Sequence, residues 1–172
     1  MKVLYTILLV LMIQVTAMGQ KYFTGIGGRA GKFNSGFTFK QFLDADNASG
    51  MQIDAYYVNV ASGGYALKGF YLRQNRFKLP IVQLPLDFVY GAGVHVGYFP
   101  YEPQGYYKRV EKDANYYDKS VVTAGIDLTI QIEYKIPKVP FTFGIEVVPF
   151  YELLNPGPEY VDFGVAIRYV FK

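Results

Sequence analysis

The sequence predicts an all-β fold, an eight-stranded antiparallel up-and-down transmembrane β-barrel, and three observations carry that prediction. The last segment sets Val161, Phe163, Val165, Ile167, Tyr169 and Phe171 against Asp162, Gly164, Ala166, Arg168 and Val170, the period-two pattern of a strand with two unlike faces. Large apolar side chains fall on one face and Gly, Ala and charge on the other, as a wall with lipid outside and a narrow polar interior requires. The chain is rich in Tyr (17) and Phe (14), and Tyr suits a boundary that is apolar on one side and wet on the other. Past the N-terminal run, no stretch has the apolar length or the 3.6-residue period of a spanning helix. Alternating segments punctuated by Gly, Pro, Asn and Asp recur instead.

The first element is a leader. Lys2 precedes an apolar run from Val3 to Ile13, and Ala17, Met18 and Gly19 precede the polar Gln20 and Lys21. The run is short of the roughly 20 residues of a membrane helix, so residues 1–19 read as a secretory signal peptide cleaved after Gly19. Residues 20–172 are then one barrel domain, long enough for eight strands of about ten residues with their turns.

Strands are expected at Tyr22–Ala30, Gly36–Leu43, Gly50–Asn59, Tyr65–Arg76, Leu86–Phe99, Ser120–Ile136, Phe141–Leu153 and Tyr160–Phe171. The fifth turns Phe88, Tyr90, Ala92, Val94, Val96 and Tyr98 outward and Asp87, Gly91, Gly93, His95 and Gly97 inward; the glycines leave room in a narrow barrel. The sixth sets Val122, Ala124, Ile126, Leu128, Ile130, Ile132 and Tyr134 outward against Thr123, Gly125, Asp127, Thr129, Gln131 and Glu133, which places Ile130 near mid-height. The fourth leaves its register open, with a bulge as one solution, because Leu67, Gly69, Tyr71 and Lys68, Phe70, Leu72 are both apolar sets. A last hairpin centred on Gly157 would put Arg168 opposite Glu146 and Phe150 over Gly164. Pro149, which has no ladder donor, is expected to mark a bulge there.

Asp44–Asn47, Lys78–Pro85 and Pro137–Pro140 form one set of connections. Gly31–Ser35, Ala61–Gly64, Pro100–Lys119 and Asn155–Glu159 form the other. With an even strand count, both termini share the first end, and the long Pro100–Lys119 tract lies at the opposite end, outside the cell.

With its export leader, its eight alternating segments and a terminal strand ending Arg168, Tyr169, Val170, Phe171, the chain resembles the small eight-stranded outer-membrane barrel proteins. The segments Gly25–Arg29 and Ser35–Leu43 look like the first hairpin of members common in Bacteroidota. Lys172 after the final aromatic departs from the family's assembly signal. The resemblance implies an outer-membrane location in a Gram-negative envelope, contact with outer-membrane lipids and insertion by the barrel-assembly machinery. It implies no activity, since one barrel serves many functions.

The chain has no Cys, so thiolate metal sites, Cys nucleophiles and an acylated lipoprotein Cys are excluded. Seventeen Lys and Arg against 14 Asp and Glu make too weak a charge for a nucleic-acid partner. The one histidine, His95, points inward within reach of Asp87, Asp127 or Glu133, but no Ser has a nucleophile-elbow context, and Ser62 and Ser120 sit at strand ends. A single His without Cys does not make a metal site. Gly25, Gly27, Gly28 and Gly31 precede no helix, so they are not a phosphate loop.

Inward positions collect both signs of charge: Arg29, Lys40, Lys68 and Arg168 against Asp54, Asp127, Glu133 and Glu146, with His95 among them. They read as a structural ion-pair network that fills the lumen, because an eight-stranded barrel is only wide enough for side chains; a narrow ion path along them is the functional counterpart. Tyr101, Tyr106, Tyr107, Tyr116 and Tyr117 interleave with Lys108, Arg109, Lys112 and Lys119 on the long tract, a candidate contact for a surface ligand. The expected function is an integral outer-membrane barrel with a structural or surface-interaction role. It is expected to be monomeric, without cofactor, metal or enzymatic activity, and not a wide pore. The alternatives are a soluble secreted lipocalin-like barrel that binds an apolar ligand, and an outer-membrane lipid-modifying enzyme built on His95.

Overall fold

Eight strands of alternating sequence close on themselves in the computed structural model, which describes residues 23–44, 48–58, 63–78, 85–99, 120–155 and 161–171. The strands are β1 (Thr24–Gly31), β2 (Asn34–Phe42), β3 (Ser49–Val58), β4 (Tyr65–Lys78), β5 (Pro85–Phe99), β6 (Val121–Lys135), β7 (Phe141–Leu154) and β8 (Val161–Phe171). Each pairs antiparallel with its neighbour in sequence, and β8 pairs back onto β1, giving a closed up-and-down barrel. The leader over residues 1–19 and the Pro100–Lys119 tract lie outside the described residues, as does Ser62.

Closure requires stagger. A row of paired residues followed from Phe171 through Thr24, Gln41, Met51, Tyr71, Ala92 and Leu128 returns to β8 through Pro149 at Val161, ten residues from its start. That offset is what tilts the strands about the barrel axis.

Side-chain parity follows the pleat. On β6, Val121, Thr123, Gly125, Asp127, Thr129, Gln131 and Glu133 are buried, while Val122, Ile126, Leu128, Ile130 and Ile132 are exposed. β5 and β8 alternate as their sequences predict. The apolar set therefore lines the outside of the barrel and the polar set its interior, the inverse of a soluble core.

The register of β4 is continuous with both neighbours, from Ser49↔Arg73 to Tyr57↔Tyr65 and from Tyr65↔Tyr98 to Lys78↔Pro85, with no bulge. Lys68, Phe70, Leu72 and Gln74 turn inward and Leu67 and Tyr71 outward. Both sets look apolar because the interior at this level is itself apolar: Phe70, Leu72, Val89 and Val148 pack together there.

The last hairpin departs from the expected centre. Phe141 pairs with Tyr169 and Glu146 with Gly164, so each β7 residue faces a β8 residue four positions earlier than a centre on Gly157 requires. β7 ends at Leu154, so the connection begins at Asn155 as expected, but the pairing is centred there and not on Gly157. The φ of Asn155, 52°, is a left-handed conformation suited to Asn, and its Nδ2 donates to the Val122 carbonyl at 2.8 Å. Pro149 makes no bulge. The β7–β8 register runs unbroken to Pro149↔Val161, and on the β6 side the same register holds on both flanks, at Ile130↔Val147 and Asp127↔Phe150. The irregularity lies between Ala124 and Gly125.

Candidate functional site

The chemistry of this chain is concentrated in the barrel interior, where the pleat turns charged side chains of all eight strands toward one axis. A chain of ion pairs alternates in sign along it. Asp162 Oδ2 lies 2.7 Å from Arg29 Nη1, and Arg29 Nε lies 2.9 Å from Glu146 Oε2. Glu146 Oε1 takes Arg168 Nη2 at 2.5 Å, Arg168 Nη1 reaches Glu133 Oε1 at 2.7 Å, and Glu133 Oε1 takes Lys40 Nζ at 2.9 Å. All six side chains are buried. Three cations against three anions leave the row neutral, which is the condition under which charges can be held away from water.

Neutral groups extend the row. Lys40 Nζ donates to Gln131 Oε1 at 2.7 Å, and Gln131 Nε2 donates to Gln52 Oε1 and Thr129 Oγ1, each at 3.0 Å. Gln52 Nε2 donates to Asp54 Oδ2 at 2.8 Å. Thr38 Oγ1 accepts from Arg168 Nε and Nη2. Bare backbone makes the space. A Cβ at Gly164 would stand 2.7 Å from Arg29 Cζ, and one at Gly31 3.0 Å from Asp162 Oδ2.

A second cluster occupies the end of the interior nearer the β5–β6 and β7–β8 connections. Lys68 Nζ lies 2.7 Å from Asp127 Oδ1, and Asp127 Oδ2 lies 2.7 Å from His95 Nδ1. His95 Nε2 is 3.1 Å from Glu152 Oε2, within ion-pair reach but without hydrogen-bond alignment. Phe150 meets the imidazole edge-on at 6.0 Å, and Lys68 Nζ sits 4.8 Å over its ring. Beside this cluster is a cavity of about 40 Å³ lined by Phe33, Phe99, Lys68, His95, Thr123 and Glu152, among others. Thr123 Oγ1 is buried there without a partner.

Every predicted lumenal residue, namely Arg29, Lys40, Asp54, Lys68, His95, Asp127, Glu133, Glu146 and Arg168, lies buried in the interior. They form two groups rather than one. Asp54 stands opposite Lys68 in the β3–β4 register, yet Lys68 reaches across to Asp127. Of the three acids expected near His95, Asp127 touches it; Asp87 pairs instead with Arg76 at 2.7 Å, and Glu133 with Lys40 and Arg168. Phe150 covers His95, and Gly164 lies beneath Arg29.

Asp162, Thr123 and Gln131 lie on the inward faces that the alternation of β8 and β6 predicts, but alternation does not name their partners. Glu152 shares the parity of Glu146 on β7, and its place near the strand end obscures that signal. Gln52 and Thr38 carry no separate signal, because a neutral inward residue looks like any polar alternation.

Outside the interior, Asp44 caps the turn between β2 and β3. Its carboxylate accepts from Ala48 N at 2.6 Å, Ser49 N at 2.9 Å and Ser49 Oγ at 2.6 Å. The Ser49 hydroxyl leads in holding this carboxyl below its ordinary value, although desolvation opposes it.

Chemically, the interior binds its own charges. Among the described residues, no group of three His, Asp or Glu side chains is arranged to hold a metal ion, and Ser120 stands exposed beyond the start of β6, away from His95. No protein-family model, curated protein or solved structure matches this chain.

Proposed function

We propose that the chain is an integral outer-membrane β-barrel of the small eight-stranded kind, exported by the leader over residues 1–19 and inserted by the barrel-assembly machinery. It acts as a monomeric structural or surface-interaction component that presents its hairpin-end loops, the Pro100–Lys119 tract foremost. One observation carries this reading: the exposed face of a closed barrel is apolar around its circumference, interrupted on β4 at Arg73 and Asn75. Val94 is 62% exposed, Leu128 56%, Ile145 55% and Ile167 54%, and water would not favour such a surface.

The height of the band supports the same reading. Tyr98 and Phe88 on β5, and Tyr151 and Phe141 on β7, are ten residues apart in sequence, roughly 25 Å along the axis at the usual rise and tilt of barrel strands. That equals the apolar band of outer-membrane barrels, with aromatic residues at both borders; Val94, Val96 and Ile145 lie between, with Tyr90 and Phe143. Arg73 and Asn75, exposed and polar, lie on the part of β4 at and beyond its last pair with β3. The filled interior argues for a scaffold over a wide pore, and the outward apolar face argues against a soluble ligand-binding barrel.

Because the chain has no Trp, Leu128→Trp provides a single reporter for the test. In vesicles containing brominated phospholipid, its fluorescence should be quenched most by bromines near the chain termini, and the protein should sediment with outer membranes. An unquenched reporter, or protein recovered in the aqueous fraction without detergent, would refute the proposal.

A further inference from the structure

Asp127, His95 and Glu152 bring a carboxylate to each nitrogen of one buried imidazole, at 2.7 Å from Nδ1 and 3.1 Å from Nε2. A neutral ring has one N–H and one lone pair. With its N–H given to Asp127, a neutral ring would turn the Nε2 lone pair onto a carboxylate oxygen, acceptor against acceptor. The charge count agrees. Asp127 already has Lys68 at 2.7 Å, whereas His95 is the one base within ion-pair reach of Glu152 among the described residues.

We infer that Asp127 and Glu152 keep His95 doubly protonated, an imidazolium clamped between two carboxylates, and that its Nε2 proton fastens the end of β7 to the barrel. The local pairing shows why a fastener matters there. The pairs Asp127↔Phe150, Ile126↔Tyr151 and Gly125↔Glu152 stand between Pro149, which cannot donate to the ladder, and the register shift at Ala124 and Gly125. Three pairs so isolated open more easily than a long ladder.

The charged groups facing the ring are Lys68, its cross-strand partner on β4, Asp127 from β6, which neutralises Lys68, and Glu152 from β7; the Phe150 ring closes another side. Loss of the Nε2 proton makes the ring neutral and removes the positive charge facing Glu152. The adjoining cavity, about 40 Å³ with the unpartnered Thr123 hydroxyl in its wall, is polar and large enough to admit water to that carboxylate. The latch then opens.

The chain has one histidine, so a ¹⁵N-imidazole spectrum of the refolded barrel in micelles needs no assignment. Two ring N–H groups are expected at neutral pH. As the pH is raised until the Nε2 proton is lost, amide exchange at Ile126 and Tyr151, corrected for its intrinsic pH dependence, should accelerate about tenfold, the response to losing about 1.4 kcal/mol of local stability. Exchange at Ile145 and Val165 should not respond. In Glu152→Gln the carboxamide donates to the Nε2 lone pair, so the ring should show one N–H at neutral pH and the pH response should vanish. A single ring N–H in the parent protein, or two N–H groups and an undiminished response in Glu152→Gln, would overturn the inference.

Discussion

Arg168 and Glu146 form an ion pair, Nη2 to Oε1 at 2.5 Å, although they are not opposite each other: Arg168 faces Thr142 and Glu146 faces Gly164. The guanidinium spans the diagonal, and Glu146 turns its second oxygen to Arg29.

Removing Glu146 therefore takes one of its two carboxylate partners from each of two buried cations, leaving Arg168 with Glu133 and Arg29 with Asp162. Glu146→Ala should cost about 3 to 5 kcal/mol, the usual result of breaking a buried pair by deleting one partner. Adding Arg168→Ala should recover part of the loss and not all, since Arg29 remains exposed to the deletion. A double-mutant cycle on refolded barrel measures the coupling, and additive losses would show that the contact contributes nothing of its own.

Arginine on the outer face should be costly in lipid. On β6, Leu128 pairs with Ala92 near the middle of the Phe88–Tyr98 span of β5, and Ile130 pairs with Val147 near the middle of the Phe141–Tyr151 span of β7, so the two stand on either side of mid-height. Leu128→Arg and Ile130→Arg should each cost about 2 to 4 kcal/mol in vesicles. A cost below about 1 kcal/mol at both sites would contradict their depth.

The parity of β4 has its own test. Leu72 is fully buried against Phe70, Val89 and Val148, so Leu72→Ala should cost about 2 to 5 kcal/mol. Leu67→Ala, on the exposed face, should change stability far less in the same micelles, as denaturant titration will register.

Gly125 makes room for the β7 backbone and the imidazole together, because a Cβ there would clash with the Tyr151 carbonyl oxygen and stand 2.7 Å from His95 Cε1. Gly125→Ala should destabilise the barrel by about 1 to 3 kcal/mol through overpacking. The shift of the one imidazole resonance reports whether the ring has been displaced.

Acid should loosen the β2–β3 turn through Asp44. Its carboxyl is lowered in the folded state, so its contribution is complete above the ordinary value of 3.8 and is lost as pH falls through the lower folded value. Amide exchange at Ala48 and Ser49 should rise in that acid range, and Asp44→Ala should show fast exchange at every pH.

The number of strands, their antiparallel order and the two faces of β5, β6 and β8 were legible in the residues alone, because period-two alternation is a local property and each strand carries it independently. The inward placement of all nine predicted polar residues followed from the same local rule. Parity says which way a side chain points. It does not say whom it meets.

Partners were decided by closure. The ten-residue stagger and the β7–β8 register centred on Asn155 set which inward side chains share a level, so Glu146 serves both Arg168 and Arg29, Lys68 passes over Asp54 for Asp127, and Glu152 completes the surroundings of His95. The apolar level of Phe70 and Leu72, which blurred β4 in the sequence, became readable only when Val89 and Val148 met it from two other strands. Those contacts join residues far apart in the chain, and their geometry depends on strand tilt and register around the whole barrel, which no single segment encodes.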